Sequence, residues 1–234
     1  MTTSLEQAGV AAQPSGAEPW APPAPAAALL PARLRLRIEA LLEGGGRRLL
    51  GLAGPPGAGK STLAAAIARA LPGVAQVVPM DGFHLANDEL ERLARRHRKG
   101  APDTFDAAGY VALLARLRGQ RPDEIVYAPE FRRELDEPVA NAIAVDPATR
   151  LVVTEGNYLL LDGPWAAVAG LVDEIWYVEA DDELRRARLA ARHERFGRAP
   201  EDARAWVAVT DEPNARLVAA TRRHAMQVVR WDAG

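Results

Sequence analysis

The chain has 234 residues, 29 Lys plus Arg against 31 Asp plus Glu, 48% hydrophobic residues and no cysteine. That fits one ordinary globular domain and excludes a fibre, a repeat array, a disulfide framework and a thiolate site. A net charge of −2 argues against a general nucleic-acid binder, because affinity for a phosphate backbone needs surplus Lys and Arg. No apolar run approaches the ~18 residues that span a bilayer, so no membrane partner is expected.

Residues 1–32 carry no Lys or Arg and are half Ala plus Pro. This lacks the basic region of a secretory signal and the Arg-rich face of an organellar presequence, so the cytoplasm is the expected compartment. With few large side chains to offset ordering entropy, the segment reads as a flexible extension. From Arg33 the pattern changes: Leu34, Ile38, Leu41 and Leu42 share one helical face, and Gly44-Gly45-Gly46 ends the helix. Leu49–Ala53 is a strand-sized apolar run, followed by a glycine-rich turn and an Ala-rich helix over Ser61–Leu71. Ala75–Met80, Leu151–Thr154 and Ile175–Val178 are further apolar runs ending in polar residues, with helical stretches at 86–97, 108–118 and 181–196. Buried parallel strands read this way. Pro200–Ala208 and Pro213–His224 are expected to be helical, and Met226–Trp231 a final strand.

Gly54-Pro55-Pro56-Gly57-Ala58-Gly59-Lys60-Ser61 has the spacing of a phosphate-binding loop. Its glycines let backbone N–H groups converge on a β-phosphate while the next helix presents its positive end. Lys60 then reaches the β- and γ-phosphates, the Ser61 hydroxyl ligates Mg2+, and Thr62 supports an α-phosphate oxygen. The alternative is a chance glycine-rich turn, which this composition produces in roughly one such chain in a thousand. Lys60 and Lys99 are the only lysines among the 29 basic residues. In so Arg-biased a chain, a lysine at position 60 reads as chemically required.

The loop alone does not separate GTPases, transport ATPases and kinases. No Asn-Lys-x-Asp guanine reader and no Ser-Gly-Gly transporter signature occurs. Val77-Val78-Pro79-Met80-Asp81-Gly82-Phe83-His84 instead places a carboxylate and an imidazole just past the second strand, where the strand ends of a parallel sheet gather round a ligand. Asp81 there can orient and deprotonate an attacking hydroxyl; the alternative is a turn or helix-cap residue. His84 is either a substrate contact or a satisfied turn histidine. Glu155, closing Leu151-Val152-Val153-Thr154, suits the Mg2+ side of the site or a strand-end ion pair. Asp181-Asp182-Glu183 opens a helix with Arg185, Arg188, Arg192 and Arg195 on one stripe, kept slim by Ala187, Ala190 and Ala191. The stripe is either a solvated face or a lid whose guanidinium groups grip phosphate, with Phe196-Gly197 as hinge.

In this order, Gly54–Ser61, Asp81-Gly82-Phe83, Lys99-Gly100-x-Pro102-Asp103-x-Phe105-Asp106, Tyr127 with Arg132 and Arg133, Thr154-Glu155-Gly156 and the Arg-rich helix, the chain resembles the phosphoribulokinase/uridine kinase superfamily. The resemblance runs from about residue 33 to 230. It implies an α/β, three-layer P-loop NTPase fold with a parallel central sheet, formed by 33–234, and a helical Arg-rich lid over about 181–212. It also implies Asp81 as catalytic base, Glu155 as the Mg2+-side acid, and Lys60, Arg192 and Arg198, with Arg188 next, on the phosphates. Acceptor-site candidates are Asp81, His84, Lys99, Asp103, Phe105, Tyr127 and Arg133, with Phe83, Phe105 and Tyr127 as an aromatic wall. Trp206 and Asp211-Glu212-Pro213-Asn214 recur in related kinases near the nucleotide. Uridine kinases usually carry Asp-Ser-Phe-Tyr where this chain has Asp81-Gly82-Phe83-His84, which looks closer to pantothenate kinases and to bacterial kinases linked with fructose transport.

The expected function is ATP-dependent, Mg2+-assisted phosphorylation of a hydroxyl on a small molecule such as a nucleoside, a sugar or a pantothenate-like acceptor, with homodimer formation left open. The alternative is a regulatory ATPase that transfers phosphate to no acceptor.

Overall fold

The computed structural model describes residues 29–230. The chain runs through α1 (Ala32–Glu43), β1 (Arg48–Ala53), α2 (Lys60–Ala70), β2 (Ala75–Pro79), α3 (Asn87–Arg92), α4 (Ala107–Arg118), β3 (Val126–Arg132) and β4 (Glu137–Val145). It continues with β5 (Leu151–Gly156), α5 (Val168–Leu171), β6 (Glu174–Glu179), α6 (Asp182–Arg195), α7 (Pro200–Trp206), α8 (Glu212–Ala219) and β7 (Gln227–Arg230). The Ala/Pro-rich segment, up to residue 28, lies outside the described residues.

Five strands form one sheet in the order β2-β5-β1-β6-β7, and every pairing is parallel. Unbroken apolar runs dictate this, because a strand covered on both faces needs apolar side chains in both directions. All of β5 is buried. One face of the sheet packs Leu50, Leu52, Val153 and Trp176 against Leu34 and Ile38 of α1 and Leu63 and Ile67 of α2. The other packs Leu49, Val152 and Tyr177 against Tyr110 and Leu114 of α4, Tyr158 and Trp165. The result is the three-layer α/β arrangement expected from the sequence. No helix among the described residues is long and apolar enough to cross a membrane.

Parallel pairing brings the carboxyl ends of the strands to one edge. Pro79 lies beside Glu155 and Ala53 beside Gly156, so the residues that follow β1, β2 and β5 emerge together. The helix expected over 86–97 is α3 plus a 3-10 turn at Arg96–Arg98, broken near Ala94, whose φ is 54°. The two C-terminal helical stretches are α7 and α8 joined by a π turn over Val207–Asp211, a rare form that often marks functional positions.

The antiparallel ribbon β3–β4 is an addition to the expected elements. Pro129 interrupts β3, which masks a strand pattern, and most of β4 is exposed or half-buried. The ribbon docks on the 3-10 turn Met80–Phe83 through Gly82, where a Cβ would lie 2.3 Å from the Pro129 carbonyl oxygen. Only a residue without a side chain permits that approach.

Candidate active site

The loop from Gly54 to Gly59 links β1 to α2, whose first turn has no side-chain cap. Its open N–H groups and the helix dipole make that end an anion site. Gly57 has φ of 80°, and a Cβ there would lie 2.8 Å from the Arg185 carbonyl oxygen and 2.9 Å from Leu189 Cγ. Helix α6 therefore lies directly on the loop.

Lys60 is 7% exposed. Its Nζ donates to the Pro55 carbonyl at 3.0 Å and to Asn157 Oδ1 at 2.8 Å. Burial pulls its pKa down to about 8, against the opposing pull of Glu155 and Asp81. Beside it Ser61 Oγ donates to Glu155 Oε1 at 2.8 Å. Burial, then the nearby Asp81 charge, push the Glu155 carboxyl above its ordinary range, while Lys60 and Ser61 resist.

Asp81 emerges after β2, on the 3-10 turn. Its Oδ2 accepts a long 3.4 Å hydrogen bond from Arg133 Nη2 at the ribbon's turn. Burial pushes this carboxyl up, but His84, Arg133, Lys60 and Arg192 together hold it below the usual carboxylate value. Asp81 is thus a carboxylate at neutral pH. His84 sits between the rings of Phe105 and Phe131, with centroids at 3.9 and 4.6 Å. Its Nδ1 is 2.7 Å from the Asp81 carbonyl oxygen. Burial lowers the His84 pKa, so the ring is neutral at pH 7, Nδ1–H donates to that carbonyl, and the other ring nitrogen is left as an acceptor. Arg192 of α6 is also costly to keep charged here, through burial and the like charge of Arg133.

These groups share one cleft of about 670 Å³. From the loop, Pro56, Gly57, Gly59, Lys60, Ser61 and Thr62 line it; Gly54 and Ala58 are buried behind, and Pro55 borders a second cavity. Asp81, His84, Lys99, Phe105, Arg133 and Glu155 line its floor and far end, and Arg192 and Arg198 its roof. Arg198 stacks on Trp206 at 3.9 Å.

Beyond the loop, three candidates for the acceptor end fall outside the cleft. Asp103 is on the surface, paired with Arg95 and Arg98. Tyr127 is 49% exposed, because strand alternation turns its neighbours Val126 and Ala128 inward and Tyr127 out. Phe83 packs edge-on against Tyr110 in the core instead of forming a ligand wall. Arg185, placed on the arginine stripe, is neither solvated nor in the cleft: it is 1% exposed, donates to the Pro56 carbonyl and pairs with Asp182 and Glu212. The aromatic wall is completed by Phe131, and Asn157 holds Lys60; each lies within a few residues of a recognised motif. His193 Nε2 donates to Asp211 Oδ2 at 2.8 Å, joining α6 to the π turn, a pairing no spacing rule announces.

A hard cation takes oxygen ligands, and the adjoining Ser61 hydroxyl and Glu155 carboxylate supply two in the cleft. Among the described residues no group of three or more His, Asp or Glu could hold an ion unaided, so a Mg2+ ion here would complete its shell with phosphate and water oxygens.

No family model matches the chain. It is 40% identical over 167 residues to a protein of Schizosaccharomyces pombe named "Putative uridine kinase", covering 67% of this chain and 71% of that protein. An "ATP-dependent kinase-like protein" of Aspergillus versicolor is 38% identical over 133 residues, covering 54% and 77%. Among solved structures, a "putative fructose transport system kinase" of Silicibacter sp. TM1040 superposes with a TM-score of 0.73 at 38% identity, over 85% of this chain and 98% of that one.

Proposed function

The chain belongs to the uridine kinase-like P-loop kinases, and from that membership we propose that it transfers the γ-phosphoryl group of ATP to a hydroxyl of a small molecule. The observation that carries this reading is Asp81. An ionised carboxylate after β2 shares one cleft with the phosphate loop after β1 and the Ser61–Glu155 pair.

In this proposal the amides from Gly57 to Thr62 and Lys60 grip the phosphates. Ser61 and Glu155 would hold a Mg2+ ion, which would supply charge neutralisation to the phosphates. Asp81 orients the acceptor hydroxyl in line with the γ-phosphorus and takes its proton as the bond forms. Arg192 and Arg198 meet the charge on the transferring group, and the hinge is Phe196-Gly197, where α6 ends and Gly197 has φ of 95°. His84, Lys99, Phe105 and Arg133 receive the acceptor, a sugar, nucleoside or pantothenate-like compound.

The test is ADP release with Mg2+ and ATP across fructose, other sugars, uridine, cytidine, pantothenate and glycerate. The reading expects at least one acceptor to stimulate release and to yield a phosphorylated product. Hydrolysis indifferent to every acceptor, but stimulated by a protein, would favour the regulatory ATPase instead.

A further inference from the structure

The acceptor end of the cleft has a charge pattern of its own. Arg96, Lys99 and Arg133 line it against Asp81 and Asp136, leaving an excess of positive charge beside a neutral imidazole. Lys99 is one of only two lysines in the chain, and both lie buried in this cleft. Lys99 Nζ donates to Asn87 Oδ1 at 2.6 Å and to the Asp136 carbonyl, and lies 3.3 Å from the Asp136 carboxylate. Arg96 donates to the same carboxylate at 2.9 Å. Two cations thus spend themselves on one turn, the turn that carries Arg133.

Arg133 is placed differently. Its side chain's one hydrogen bond among the described residues is the 3.4 Å contact with Asp81, though a guanidinium has five donors. It stands 6.0 Å over the Phe131 ring, which Lys99 also approaches at 5.0 Å. A cation loosely paired with the proposed base weakens that base. The cost disappears once another anion draws the guanidinium away.

Resting on the kinase reading above, we infer that the acceptor is an anionic hydroxy compound whose carboxylate or phosphate group is gripped by Arg133, with Arg96 and Lys99 holding the turn that presents it. The apolar part of the acceptor lies along Phe131 and Phe105, and a second hydroxyl donates to the free nitrogen of His84. A neutral sugar or nucleoside leaves the Arg133 donors unanswered.

Two measurements on the full chain test this. In the first, ADP release is compared for pairs differing by one anionic group: glycerol with glycerate, glucose with gluconate, ribose with ribose 5-phosphate. The anionic member is expected to have the higher kcat/KM by about tenfold or more, and carboxylate and phosphate arms separate the two sources of charge. Arg133→Gln should narrow that gap through KM, and Arg133→Lys should restore part of it. Equal or better use of the neutral members overturns this inference and leaves the kinase reading standing.

The second measurement needs no productive acceptor. With a non-hydrolysable ATP analogue and Mg2+ filling the donor end, inorganic phosphate and acetate are titrated calorimetrically. Saturable binding of either, weakened about tenfold in Arg133→Gln, is the expected result. Absence of saturable binding of both overturns the inference, whereas failure of the ATP analogue itself to bind removes the kinase reading and this inference with it.

Discussion

The hydroxyl of Ser61 donates to the carboxylate of Glu155 across 2.8 Å, tying the first turn of α2 to the end of β5. Glu155 is 6% exposed, and its burial raises its pKa. A carboxyl whose folded pKa exceeds its unfolded value stabilises the fold below the ordinary carboxylate range and loses that contribution as pH rises through the folded value. At neutral pH the burial of Glu155 is therefore a burden on stability.

Glu155→Gln is expected to raise the thermal midpoint at pH 7 by on the order of a few degrees while lowering turnover and weakening its dependence on Mg2+. Calorimetry and an ADP-release assay over a Mg2+ series read the two effects separately. A variant less stable and equally active would contradict the assignment.

Asp81→Asn keeps the size of the side chain but removes the proton acceptor. ATP binding should persist while turnover falls by about 10²–10⁴. Wild-type rates in this variant would remove Asp81 as the base.

Lys60 carries a pH signature. Its pKa stands near 8 against an ordinary 10.5, so between those values the nucleotide-free protein holds it mostly neutral while the unfolded chain keeps it charged. Stability without nucleotide should rise with pH across that window, since the unfolded state binds more protons. A polyphosphate reverses the preference, so ATP binding at about pH 8.5 should take up a proton. Calorimetric titration in buffers of different ionisation enthalpy measures that proton, and Lys60→Ala should abolish it together with most ATP affinity or turnover.

Arg185 is expected to matter for folding more than for chemistry. Arg185→Ala leaves Glu212 with only its longer contact to Arg186 and the Pro56 carbonyl without its donor, at about 1–3 kcal/mol. Denaturant unfolding gives the figure, and a loss below 1 kcal/mol would contradict the structural role.

Gly82→Ala must displace Pro129, whose carbonyl oxygen lies 2.3 Å from the added Cβ. Displacing the ribbon moves Arg133 relative to Asp81, so kcat/KM should fall by about tenfold or more with a stability loss of about 1–3 kcal/mol. The serine that uridine kinases usually carry at this position meets the same obstruction here.

The parallel sheet was legible because strands covered on both faces have no choice but to be apolar throughout, as in Leu49–Ala53 and Leu151–Val153. The phosphate loop was legible because its spacing is set by a ligand rather than by packing. Tyr127 and Asp103 were misplaced because loop motifs announce a neighbourhood and not a side-chain direction. The ribbon hid behind Pro129. Arg185 and Arg192 could not be told apart by periodicity, which says that two residues share a helix face but not that the first turn of that face is sealed against Pro56 and Glu212 while a later turn opens on the cleft.

The β3–β4 ribbon enters the chain between α4 and β5 and shares no pairing with the five-stranded sheet. In the proposed kinase reading, the ribbon that carries Phe131 and Arg133 is therefore a separate part from the sheet that carries the phosphate loop. Under that reading, exchanging the hairpin would alter the contacts made by Phe131 and Arg133 while the loop, Lys60, His84, Lys99 and Phe105 stay in place.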